Sequence, residues 1–178
     1  MQTMCQKLYD IDENGEITPM LATKLPTISK DGKTVRIPLK DGVKFADGTG
    51  FDAEAVKTTI ERGLNLEESS RAAELGPIDD VTALDDHTVE VTFEKPFAPF
   101  TAALADRAGM IMSPKALKDE GDDFGDNPVC VGPFKFEKRI AQTSIMVVKD
   151  PNYYDADKVR LDSITYQIRR GANIRAAN

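Results

Sequence analysis

Two hydrophobic rhythms run along this chain. Val35, Ile37 and Leu39 interleave with Arg36 and Lys40, which buries one face of a strand over residues 34–39. Pro38 lies inside that run without a backbone donor, so the pattern places it at a sheet edge or a bulge. Val89, Val91 and Phe93 alternate in the same way. Residues 78–84 precede them across Asp85-Asp86, and the pair reads as a hairpin. Between these strands the period becomes helical: Ala53, Val56, Ile60 and Leu64 share one face of residues 52–64. Asp52 stands at the N-cap, Phe51 is placed to staple onto Val56, and Gly63 weakens the last turn.

The remaining segments follow the same grammar. Residues 5–18 read strand, turn, strand about Asn14-Gly15, and Asp41-Gly42 and Asp47-Gly48 are turn dipeptides. Residues 67–74 are polar and read as a loop with a short helix. Residues 99–106 form a short helix, 109–112 a buried strand, and 114–120 a helix opened by proline. Residues 134–140 and 144–149 make a second hairpin. Residues 161–168 are the last strand, with Ile164, Tyr166 and Ile168 on one face. Hairpins with interspersed helices predict an α+β fold of mostly antiparallel, mixed sheets and short helices.

Composition narrows the function classes. The 178 residues suit one domain, or one and a fraction, and 40% hydrophobic content is enough to build a core. Thirty acidic residues against 23 Lys and Arg leave a net charge of -7. That disfavours nucleic acid and anionic lipid, both of which need a basic face. No apolar run approaches a membrane span, and the first residues lack a charged-then-apolar leader pattern. Arg175 to Asn178 read as a helix opening without a cap, which suggests that the chain is part of something longer.

The chemistry-bearing residues are few. Asp10, Asp12, Asn14 and Gly15 match the first half of a calcium loop. Position twelve is Leu21 rather than a bidentate Glu and no helix flanks the segment, so a surface hairpin turn is the better reading. Asp119, Glu120, Asp122, Asp123 and Asp126 read as a solvated loop, and His87, the only histidine, as a turn residue. No nucleophile elbow, zinc-helix or phosphate-loop motif appears, and no enzymatic activity, metal or cofactor is expected. Cys5 and Cys130 are too far apart for a zinc pattern; they would be two buried thiols in a reducing compartment and could pair in an exported protein. Asp106, Arg107, Gly109 and Met110 lead from a helix into a buried strand and are the ligand-cleft candidates. Arg107 there either faces a ligand carboxylate or is a surface arginine with its head in water, and the base rate favours the surface.

Five segments, in order, resemble one family. They are Leu21-Ala22 with Ser29-Lys30-Asp31-Gly32-Lys33, the run 34–56, the run 81–89, Asn127-Pro128-Val129-Cys130-Val131-Gly132-Pro133-Phe134, and Asp150-Pro151-Asn152-Tyr153-Tyr154. Together they resemble the extracytoplasmic solute-binding proteins of ABC transporters, family 5, the peptide- and nickel-binding type. Cys130 departs from the family's usual Gly and Tyr154 from its usual Trp. The resemblance implies the small extra domain of a type-II (class C) periplasmic-binding-protein-like fold plus the start of the ligand lobe. Residues 1–9 would lead in from the ligand lobe, 10–127 form the small α+β domain, and 128–178 begin a truncated ligand lobe. It further implies a Cys5–Cys130 disulfide and a periplasmic or surface-anchored location. The partners implied are a peptide or similar small solute and the permease subunits of an importer, the protein being a monomer. The main ligand anchors would lie in a second lobe. The other readings are a self-contained interaction domain and a hydrolase without a recognisable motif.

Overall fold

A computed structural model describes residues 3–67, 69 and 71–169. The helix expected from residues 175–178 lies outside the described residues. Strands β1 (Tyr9–Ile11) and β2 (Ile17–Pro19) form the first hairpin. Its turn is an Asx turn: Asp12 Oδ1 accepts the Asn14 and Glu16 backbone N–H groups at 2.9 and 2.8 Å, and Gly15 takes φ +83°.

The main sheet has four antiparallel strands in the order β3 (Thr27–Ile28), β4 (Thr34–Pro38), β6 (Thr88–Phe93), β5 (Ile78–Asp85). Val35 lies opposite Val91 and Ile37 opposite Val89, so the apolar sets of both strands fall on one face. All four are at most 3% exposed. Helix α1 (Ala53–Asn65) covers that face with Ala53, Ala55, Val56, Thr59 and Ile60. Asp52 caps it by accepting the Ala55 N–H at 2.8 Å, and Phe51 is buried in the same core as Val56.

Pro38 sits differently from either alternative expected of it, since β4 is an interior strand. The short β3 pairs only with Val35 and Arg36, so Pro38 lies past the stretch where a second ladder would need its N–H. Its carbonyl accepts the Thr23 N–H at 2.9 Å.

Helix α2 (Arg71–Leu75) and helix α3 (Phe100–Ala103) are short, and helix α4 (Pro114–Glu120) starts on a Ser113 cap. The expected strand at 109–112 is not a ladder. Arg107–Gly109 form a 3-10 turn, and the next residues make two isolated bridges, Met110 with Lys7 and Met112 with Cys130. Gly109 makes the turn possible, because a Cβ there would meet the Leu104 carbonyl oxygen at 1.8 Å.

The second sheet, β7 (Phe134–Ile140), β8 (Ser144–Lys149) and β9 (Ser163–Gln167), is antiparallel in that order. A seam joins it to the rest. Cys5 and Cys130 are disulfide-bonded across a sequence separation of 125 residues. Backbone bonds run from Gln6 N to Val131 O, Phe134 N to Thr3 O and Ala46 N to Cys130 O, and Asn152 Nδ2 donates to Ala46 O. Gln6 clamps two rings at this seam, donating to the Tyr153 hydroxyl at 2.8 Å and accepting from Tyr154 at 3.0 Å. Burial pushes the Tyr153 hydroxyl well above its usual pKa.

Candidate functional site

The end of α1 and the start of α2 close on one side of a groove. Gly63, which costs α1 helical propensity, sits where a Cβ would approach Leu75 Cδ1 to 3.3 Å, so its small size admits the α2 turn. That approach carries Arg62, in the last turn of α1, and Arg71, at the start of α2, to the same side. The 3-10 turn brings Arg107 to them. Below, Met110 and Met112 are half-buried, while Ile111 between them points into the core at 0% exposure. Thr59 Oγ1 fixes that floor by accepting the Met112 N–H at 3.1 Å. The Cys5–Cys130 bridge, Phe124 and Pro128 complete a cavity of 390 Å³, and a 70 Å³ recess continues beneath Arg62, Arg71 and Arg107.

Charge in the groove is one-sided, since its lining contains no Asp or Glu among the described residues. Arg71 is held by Glu74 at 2.5 Å. Arg62 and Arg107 have no ion pair among the described residues.

Of the four residues singled out from sequence, Arg107 and Met110 line this groove. Asp106 is exposed and outside the lining, its carbonyl accepting the Gly109 N–H at 3.1 Å, and Gly109 is buried against Leu104. Arg62, Arg71 and Met112 were not singled out. The Met-x-Met spacing was the one available signal, since period two puts both thioethers on one face. A larger depression of 580 Å³ follows the free edge of β7, but its Arg139 already faces Asp126 at 3.6 Å. His87 lies on the hairpin turn, its N–H held by Asp85 at 2.8 Å and its ring 3.6 Å from Asp41.

Two further groups mark the seam. Asp47 accepts from Ser113 and Thr49 hydroxyls; burial works against its charge, but these bonds hold its carboxyl below the usual range. Asp150 is fully buried, and its Oδ2 has no hydrogen-bond partner among the described residues. Burial raises its carboxyl pKa and nearby Asp47 adds to the rise, against the Asn152 N–H and Lys135.

Residues 16–178 match the family described as Bacterial extracellular solute-binding proteins, family 5 Middle. The chain belongs to this family. Its glutathione-binding relative GsiB from Pectobacterium atrosepticum is 36% identical over 173 residues, which cover 97% of this chain and 34% of that protein. Among solved structures, Campylobacter jejuni NikZ in complex with Ni(L-His) is 30% identical with a TM-score of 0.89. It is matched over 99% of this chain and 36% of its own. AgaA of A. tumefaciens, in complex with agropinic acid, is 29% identical with the same TM-score of 0.89, at 99% and 36% coverage. The chain therefore spans about a third of the length of the family members it matches. These family members are binding proteins rather than enzymes, and the α+β architecture with antiparallel sheets is theirs.

Proposed function

We propose that this chain is one part of an extracytoplasmic solute-binding protein that captures a short peptide or similar small solute and delivers it to an ABC importer. Residues 10–127 act as the small α+β domain, while 1–9 and 128 onward belong to the ligand lobe. The protein works as a monomer, without catalytic chemistry. The observation that carries the reading is the groove over Met110 and Met112, an open cavity of 390 Å³ on a chain that belongs to this family. Arg107 and Met110 contribute to the ligand cleft from this side, and a second lobe closes over the solute and supplies its main anchors. Half a clamshell buries too little of a small ligand to offset the freedom the ligand loses on binding.

Calorimetry separates the parts. The complete protein is expected to bind at least one member of a series of di- to pentapeptides and glutathione, and residues 1–178 alone to give no heat with the same series. Micromolar binding by the isolated chain would overturn the two-lobe reading and place the whole site within these residues.

A further inference from the structure

We propose that the groove over Met110 and Met112 selects small organic anions bearing at least two carboxylates on an apolar or sulfur-containing stem. This rests on the solute-binding reading and narrows it to a charge class. Three arginines from three separate elements, Arg62, Arg71 and Arg107, converge on one cavity, and no acid lines it among the described residues. That runs against the composition of the chain, whose net charge is -7. A random draw from this surface would place an acid in the lining more readily than a base. The charged lining among the described residues is therefore opposite in sign to the chain as a whole, Glu74 offsetting Arg71, and the low-dielectric walls of a groove strengthen the field of the two remaining cations.

The state of each cation matters as much as the count. Arg71 is already committed to Glu74 at 2.5 Å, which fixes its position and part of its charge. Arg62 and Arg107 have no ion pair among the described residues and keep their donor forks for a ligand. A planar guanidinium fork matches a carboxylate with two parallel hydrogen bonds, so two open forks suit two carboxylates. Beneath them, Met110, Met112 and the disulfide present polarizable sulfur, and Phe124 closes the apolar end. Such a floor accepts an aliphatic or sulfur-bearing stem and makes few directional demands on it. The cavity of 390 Å³ lies within the range of small-molecule sites, roughly 300–1,000 Å³.

The test uses the complete protein, stripped of bound solute and titrated with Ala-Glu-Glu and with the neutral amide Ala-Gln-Gln-NH2. The acidic peptide is expected to bind at least about tenfold more tightly, and the margin to shrink with added salt. Arg62→Gln and Arg107→Gln are each expected to reduce that margin about tenfold, and Arg107→Lys to restore part of it. Equal affinity for the two peptides, or a margin that survives in the Arg62→Gln/Arg107→Gln double variant, overturns the proposal. If neither peptide binds, thermal unfolding is followed across neutral, cationic and dicarboxylate solutes. Stabilisation by dicarboxylates supports the proposal. Stabilisation only by neutral or cationic solutes overturns it and leaves solute binding standing. No stabilisation by any class removes the solute-binding reading and this one with it.

Discussion

The two larger sheets carry similar alternation and meet different fates. In the four-stranded sheet, Val35, Ile37, Val89 and Val91 are sealed under α1, none more than 3% exposed. In the three-stranded sheet, Val147 is buried at 0%, yet Ile140 and Tyr166 remain 52% and 41% exposed. Period two determines which residues share a face, but not whether anything covers that face. The first sheet has its helix within the same stretch of sequence, because α1 lies between its strands β4 and β6. No helix covers the outer apolar residues of the second among the described residues. One sheet is a finished core; the other leans on the seam.

Cutting that dependence should have the largest effect. The disulfide ties the seam across 125 residues, and a loop of that length removes about 5 kcal/mol of unfolded-chain entropy. Cys130→Ser is expected to approach that loss in urea unfolding, and titration of the unfolded, unreduced parent should find no free thiol. Two free thiols in freshly oxidised protein would remove the bridge from the comparison.

Next comes a matched pair of truncations. Ile37→Ala, at a position with 0% exposure, is expected to cost about 2–5 kcal/mol through lost burial and the cavity left behind. Ile140→Ala, at 52% exposure on β7, should cost about 0.5 kcal/mol or less. Equal losses would mean that the second sheet is as well packed as the first.

A smaller effect sharpens the seam itself. Asp150→Asn is expected to stabilise the chain at neutral pH by about 1 kcal/mol, because it removes the cost of ionising a buried carboxylate while its amide oxygen keeps the Asn152 N–H. The sign follows from the raised carboxyl pKa. The folded state holds the proton more tightly than the unfolded state does. The wild type is therefore favoured at acidic pH and loses stability as pH climbs from the unfolded carboxylate range through the folded value. The asparagine variant should lack that decline, and its advantage should vanish in acid. Parallel stability–pH curves would show that Asp150 is satisfied, for instance by a buried water.

Most of the fold was legible. The alternations at 35–39, 89–93 and 134–149 became strands, and Asp52 capped the helix it was expected to cap. The segment 109–112 was misread because three apolar residues after a glycine look like a buried strand. In the fold, two bridges to distant segments hold it, and the glycine is required by the Leu104 carbonyl. The last strand is shorter than its apolar pattern, ending at Gln167, because residues 161 and 168 have no partner in β8. The groove was half legible. Arg107 and Met110 stood out as the exit of a helix, but Arg62 and Arg71 join them through the packing of α1 against α2, which the small Gly63 eases. A contact between two helices at a glycine leaves no periodic trace. The cysteine pairing came from family resemblance and not from any spacing rule.

Lys7 has a consequence for how the seam can be watched. The residue is 5% exposed, and its ammonium donates to Asp10 and to the Ala105 carbonyl, both at 2.7 Å. It is the only buried lysine among the described residues. Amine-reactive reagents attack the neutral, solvent-accessible amine, so a lysine this buried and doubly hydrogen-bonded is chemically silent while residues 5–8 stay docked. The other lysines record the surface; Lys7 records only the moments when the first strand lifts away, which makes it a clock for opening at the chain's own joint.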